Sequence, residues 1–127
     1  MSESAIPAEL VLSVEQFNQK QFYECHDSLE ALWMEASEPE KNFYQGILQV
    51  SVAFYHLGNY NWQGSVILLG EGRRRLQKYQ PAYAGLDLDA FVTEVTEILL
   101  LLQQSGADQV EVMAQKVQPP ILNLASP

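Results

Sequence analysis

The chain has 127 residues, of which 47% are hydrophobic, and a formal net charge of −9 at pH 7. That length and apolar content fit one folded domain with its own core and exclude a disordered chain. A surface this acidic repels phosphate backbones and anionic lipid headgroups, so the charge argues against nucleic-acid binding and membrane-surface binding.

Three sequence features point to a cytoplasmic protein. Cys25 is the single cysteine, so no intrachain disulfide can form. The N-terminal stretch MSESAIPAEL lacks the basic and apolar segments of a signal peptide. The longest wholly apolar run, 98–102, is far too short to span a bilayer. We therefore expect a single helical domain over 1–127, with tails at 1–8 and 118–127.

Apolar residues recur at helical spacing through most of the chain, and strand-like alternation is absent. This pattern predicts an all-α class, a compact bundle of about five helices built from helix hairpins, with an extended C-terminal tail. The main helices are predicted at about 9–19, 22–36, 39–57, 60–79 and 87–104, and a short further helix near 108–117. Pro119-Pro120 then imposes extended backbone on 121–124.

The second predicted helix, which contains FYECHDSLEALW at 22–33, places a histidine in its apolar stripe. Leu29 and Trp33 fall within about 60° of Phe22 on the helix circumference, and His26 lies inside that arc. Glu30 follows His26 by one turn, at the rim of the stripe. The helix therefore turns two side chains capable of chemistry toward the side expected to be buried.

The third predicted helix is apolar around nearly its whole circumference, which is typical of a central helix. Gln45, Gln49 and His56 interrupt that pattern within a single arc of about 40°. A short turn joins this helix to the second, so the two should be antiparallel neighbours. The candidate ligand-binding residues at their seam are His26, Glu30, Trp33, Gln45, Gln49 and His56.

Two further patterns concern packing and assembly. A turn feeding an amphipathic helix occurs twice at an offset of 40 residues, at 17–29 and 57–69, which suggests two stacked helix pairs. In the fifth helix, Leu99 to Leu102 widens the apolar stripe beyond what one neighbour needs. This width predicts a homodimer through the fifth helix, unless the C-terminal tail covers it.

The stretch FNQKQFYECHDSLEALW, followed by FYQGILQVSVAFYHLGNYNWQGSVILLGEGRRRLQKY and GLDLD, resembles the DUF309 family of small prokaryotic helical proteins. The resemblance covers about 17–89. It includes a Phe-Tyr-Glu-x-His motif, with Asp27 at a place where Glu is common, and then Gln-Gly-x-x-Gln and Tyr-His followed by Gly-Asn. The resemblance implies an all-helical bundle and brings no assigned activity.

Several interpretations of the seam stay open. It can be a buried hydrogen-bond network that fixes helix register, or part of the solvent face of the third helix. It can instead be a small polar pocket of a binding or interaction module, with His26 and Glu30 as anchors and Trp33, Tyr23 and Tyr55 as walls. The alternative is a metal-dependent or acid–base enzyme, hydrolase-like, that uses His26, Glu30 and His56. An HExxH motif is absent, and no metal ligand or cofactor is assigned.

Overall fold

The computed structural model describes residues 6–125, and the predicted all-α class is confirmed. Parts of both predicted tails, 1–5 and 126–127, lie outside the described residues. The helices of the described chain are α1 (Ala8–Asn18), α2 (Phe22–Glu35), α3 (Glu40–Gly58), α4 (Trp62–Leu76), α5 (Asp89–Ser105) and α6 (Val110–Lys116). Across 6–125, none of them combines the length and the apolar content that a bilayer crossing requires.

A small antiparallel sheet departs from the prediction of helices alone. Its strands are β1 (Ala82–Tyr83), β2 (Leu86–Asp87) and β3 (Asn123–Leu124), in that spatial order. Leu86 pairs with Tyr83 on one side and with Leu124 on the other. Ala84 and Gly85 both have positive φ, at 52° and 82°, which suits the two-residue turn of a β-hairpin. The sheet fixes the C-terminal tail against the loop between α4 and α5.

The hydrophobic core is one contiguous cluster, and α3 runs through it as its buried centre. Phe17 of α1 is 1% exposed, and its ring packs edge-on against Phe22, Phe54 and Phe91 at centroid distances of 5.2, 6.2 and 5.5 Å. These rings come from α2, α3 and α5. A single aromatic side chain of α1 thus ties four helices together, which is how the first helix positions the start of α2.

Two glycines set the distance between α3 and α4. A Cβ on Gly72 would lie 2.6 Å from Val50 Cγ2 and 2.8 Å from the Gly46 carbonyl oxygen. A Cβ on Gly46 would lie 2.9 Å from the Leu76 side chain. The glycine-rich α4 therefore lies in close contact with α3.

The internal repeat is visible in the two interhelical turns. Lys20 and Tyr60 occupy the same place in their turns, with φ of 65° and 62°. In the first turn the Gln21 N–H donates to the carbonyl of residue 16 at 2.8 Å, and in the second the Asn61 N–H donates to that of His56 at 2.8 Å. Both are Schellman-type helix ends. The α1–α2 and α3–α4 hairpins are thus built alike, as the offset of 40 predicts.

Candidate functional site

Both histidines of the sequence line one cleft between α2 and α3. The start of α2 lies beside the end of α3 because the hairpin is antiparallel, which places His56 near Phe22. The cleft measures about 130 Å³. Its lining residues are Phe22, Tyr23, His26, Val52, Tyr55 and His56.

Two exposed tyrosines form the rim of this cleft. Tyr23 and Tyr55 are 56% and 43% exposed, and their ring centroids lie 5.6 Å apart. Tyr23 also lies 6.2 Å from the His26 ring, and Tyr55 lies 6.1 Å from the His56 ring. Large exposed aromatic rings are unusual outside binding surfaces when they occur as a contiguous group. The cleft is therefore aromatic, where the sequence predicted a polar pocket.

Carboxylates lie directly beside the cleft on α2. His26 Nδ1 lies 3.3 Å from Asp27 Oδ1, and the Asp27 side chain is 60% exposed, as the helix periodicity predicts. His26, Asp27 and Glu30 together bring three potential metal-ligand atoms within 4.8 Å of one another. Glu30 is exposed rather than buried at the rim of the stripe. This edge of the cleft is negatively charged.

A hydrogen bond from the next turn orients His56. Asn61 Oδ1 accepts the Gly64 N–H at 2.9 Å, so Asn61 also caps α4. Its Nδ2 then faces His56 Nδ1 at 3.3 Å. Because an amide nitrogen only donates, His56 Nδ1 is the acceptor in this contact.

Trp33 lies at the far end of the α2–α3 seam and does not line the cleft. Lys41 Nζ sits 4.2 Å from the centroid of its ring and donates to its backbone carbonyl at 3.2 Å. Its indole Nε1 is the one buried side-chain nitrogen or oxygen among residues 6–125 that has no hydrogen-bond partner. The Lys41 ammonium group contacts the face of the indole ring, and this contact does not provide a hydrogen-bond acceptor for the indole N–H.

Gln49 faces α4 instead of the predicted seam with α2. Its Nε2 donates to Glu71 Oε1 at 3.0 Å, and its Oε1 accepts from Arg75 Nε at 3.1 Å. Arg75 also bonds Asn42, which bonds the Tyr79 hydroxyl at 3.2 Å. Gln45 is half-buried and lines neither side of the cleft. The six predicted residues therefore separate: His26 and His56 line the same cleft, Glu30 lies beside His26, and Trp33, Gln45 and Gln49 lie elsewhere.

Phe22, Tyr23, Val52 and Tyr55 are the cleft residues outside the predicted ligand set, and the two tyrosines among them were predicted as walls of the pocket. Tyr23 follows Phe22 by one position and so leaves the buried stripe, which is the signal that could have identified it as exposed. Cys25, in contrast, is fully buried on the core side of α2. Burial raises the pKa of its thiol to about 11, with hydrogen bonds from Ser51 and Phe17 acting in the opposite direction. It is therefore a packing residue and no nucleophile.

Comparisons with known proteins confirm the resemblance to DUF309. Residues 10–68 match the model of DUF309, described as a domain of unknown function. The uncharacterized protein YpuF of Bacillus subtilis (strain 168) is 32% identical over 96 residues, which cover 75% of this chain and 52% of that protein. The chain thus spans about half the length of that relative. The matched segment contains every residue that lines the cleft.

Proposed function

We propose that this chain, whose residues 10–68 match the model of DUF309, a domain of unknown function, is a binding module for a protein partner. Its cleft between α2 and α3 receives one cationic side chain, lysine or arginine, from that partner. The observation that carries the proposal is the meeting of two exposed tyrosines and both histidines at one small opening.

The size of the cleft favours a single side chain over a whole small molecule. Ligand pockets for drug-sized molecules typically enclose about 300–1,000 Å³. This cleft, at about 130 Å³, is well below that range. It opens beside a groove of about 460 Å³ that shares Phe22, Tyr23 and Tyr55 with it. An anchor side chain in the cleft and a backbone segment in the groove fit this arrangement.

The chemistry of the rim favours a cation. Tyrosine ring faces attract ammonium and guanidinium groups within about 6 Å of their centroids. Glu24, Asp27 and Glu30 are exposed near the rim, and the net charge of the chain is −9. These charges favour approach of a basic segment and contribute mainly to the association rate.

Fluorescence anisotropy with a labelled tetra-arginine peptide tests this proposal. Tyr23→Ala and Tyr55→Ala remove exposed rings and should leave the fold intact by circular dichroism. Each should weaken binding by about tenfold, because an aromatic face that contacts a cation contributes roughly 1–2 kcal/mol.

Tyr60→Ala is the matched control, since Tyr60 is 47% exposed and does not line the cleft. It should bind the peptide like the unmodified chain. Equal weakening by Tyr60→Ala and Tyr23→Ala would show a diffuse acidic surface and overturn the proposal.

A second candidate, a metal-dependent enzyme, is favoured by one observation: the ligand atoms of His26, Asp27 and Glu30 lie within 4.8 Å of one another. A divalent cation held there would lie beside the cleft. Titration of metal-stripped protein with Zn²⁺, Mn²⁺ or Ni²⁺ should then raise the melting temperature, and His26→Ala should abolish the rise. An unchanged melting temperature with all three ions argues for the binding module alone.

We also propose one domain over 1–127 and a cytoplasmic location. The cytoplasmic location rests on the single cysteine.

We further propose a homodimer through α5. This proposal rests on the exposure of Leu100 and Leu101, whose side chains are 50% and 37% exposed. The C-terminal tail docks instead on Asn18 of α1. Light scattering should give twice the monomer mass for the chain and the monomer mass for Leu100→Glu.

A further inference from the structure

We infer a second binding site, for a primary ammonium group on an aliphatic chain, in a cleft at the opposite end of the α2–α3 hairpin. This cleft of about 490 Å³ lies within the size range of small-ligand sites. It is bounded by the N-terminal turn of α1, the last turn of α2 and the first turns of α3. Its described lining residues are Glu9, Ala31, Leu32, Glu35, Ala36, Ser37, Glu40 and Tyr44.

Among the described residues, the lining combines three carboxylates with an apolar wall and contains no lysine or arginine. Glu9, Glu35 and Glu40 come from three different helices and are all exposed. The side chains of Leu32 and Ala36 are partly buried against the core and form the wall. Carboxylates satisfy an ammonium group, and the wall packs against the carbon chain that carries it.

Tyr44 is the residue with an uncharged phenol among those that line the cleft. The residue is 6% exposed, and its hydroxyl has no hydrogen-bond partner within residues 6–125. Among residues 6–125, Trp33 Nε1 is the one side-chain nitrogen or oxygen that is both buried and without a hydrogen-bond partner. The Tyr44 hydroxyl, which also lacks a partner there, is therefore not fully buried. It therefore reaches solvent, and the surface that Tyr44 lines is this cleft. A ligand here gains a hydrogen bond that the protein leaves unmade.

The phenol stays protonated at neutral pH. Burial raises the pKa of Tyr44, and the nearby negative charge of Glu40 raises it further. A neutral phenol accepts a hydrogen bond from an ammonium group through its lone pairs and keeps its own proton to donate. This suits a cationic ligand with more than one polar group.

The spacing of the carboxylates argues for an extended organic cation over a metal ion. Among residues 6–125, only His26, Asp27 and Glu30 place three ligand atoms within 4.8 Å of one another. The three glutamates of this cleft do not converge in that way. A metal ion needs its ligands within about 2.0–2.6 Å of one point, whereas a chain with separated amines meets carboxylates that lie apart. A free polyamine and a lysine side chain of a partner share this chemistry.

Calorimetric titration at low ionic strength tests the inference with two probes, spermidine and the blocked tripeptide Ala-Lys-Ala. Tighter binding of spermidine identifies a free amine as the ligand, and tighter binding of the tripeptide identifies a partner lysine. Glu35→Gln, Glu40→Gln and Tyr44→Phe should each weaken the better probe by about tenfold, the loss of one charge-assisted hydrogen bond.

Glu97→Gln is the matched control, because it removes one exposed charge from α5 outside the cleft. It should bind as the unmodified chain does. Equal weakening by Glu97→Gln and Glu40→Gln, no heat with either probe, or displacement of spermidine by equimolar Mg²⁺ would each overturn the inference. Tyr23→Ala should leave spermidine binding unchanged, so this result is independent of the arginine-peptide experiment.

Discussion

At the scale of single residues, Cys25 makes the stability of the fold depend on pH in the alkaline range. Its thiol is fully buried, and burial raises its pKa from 9.0 to about 11 in the folded chain. The folded state therefore holds this proton more tightly than the unfolded state does. The resulting stabilisation is complete below pH 9, and it is lost progressively as the pH rises from 9 to 11.

We expect the free energy of unfolding in urea to fall over that interval, by at most about 3 kcal/mol from this group. Cys25→Ala should be less stable at pH 7 because of the cavity, yet show a shallower decline between pH 9 and 11. Tyr44 and Tyr83 also have raised pKa values, and their contribution cancels in the comparison. Parallel pH profiles for the two proteins would contradict the assignment.

Gln49 shows what a sequence cannot supply at this scale. Helical periodicity gives the angle of each side chain about the axis of its own helix. It does not give the rotation of the helix relative to each neighbour. The partners of Gln49, Glu71 and Arg75, lie one turn apart on α4, and only the tertiary packing shows that they meet it.

At the scale of helices, Gly72 and Gly70 form a matched pair on α4. Gly72→Ala places a Cβ 2.6 Å from Val50 Cγ2 and 2.8 Å from a backbone oxygen, so α3 and α4 must separate. We expect a loss of about 1–3 kcal/mol in unfolding free energy. Gly70→Ala meets nothing nearer than 3.9 Å, and it should be neutral or stabilising by up to about 1 kcal/mol.

Urea denaturation of the two alanine variants, followed by circular dichroism, measures both effects in one helix. The helix-propensity gain is the same at each site, so the difference between the variants isolates the steric contact. A Gly72→Ala variant as stable as Gly70→Ala would mean that the helices are not in the close contact described here.

The small sheet could not be predicted from the sequence, because its strands are too short to show a pattern. Each strand has two residues, and two residues cannot display the alternation by which strands are recognised. The six helices, of which α2 to α5 have fourteen residues or more, carry several turns of periodic signal. Their order was predictable for that reason, with ends within about three residues of those predicted.

At the scale of the whole molecule, a pair of hydrogen bonds joins Asn18 to Leu122, which lie 104 positions apart in the sequence. Asn18 Oδ1 accepts the Leu122 N–H at 2.8 Å, and Asn18 Nδ2 donates to the Leu122 carbonyl at 2.9 Å. One side chain at the end of α1 thus satisfies both backbone groups of a tail residue. Leu122 itself is 2% exposed, so these hydrogen bonds position an apolar anchor of the core.

Asn18→Ala should lower the unfolding free energy by about 1–3 kcal/mol, because it leaves a buried N–H and carbonyl unpaired. Amide hydrogen exchange at Leu122 and Ala125 should accelerate as the tail detaches, since Ala125 bonds Gly85 of the hairpin at 2.8 Å. Asn59→Ala is the control: within residues 6–125 its exposed side chain bonds only the Tyr55 carbonyl of the preceding helix, α3. An equal loss of stability in both variants would mean that the hydrogen bonds between Asn18 and Leu122 do not hold the C-terminal tail against α1.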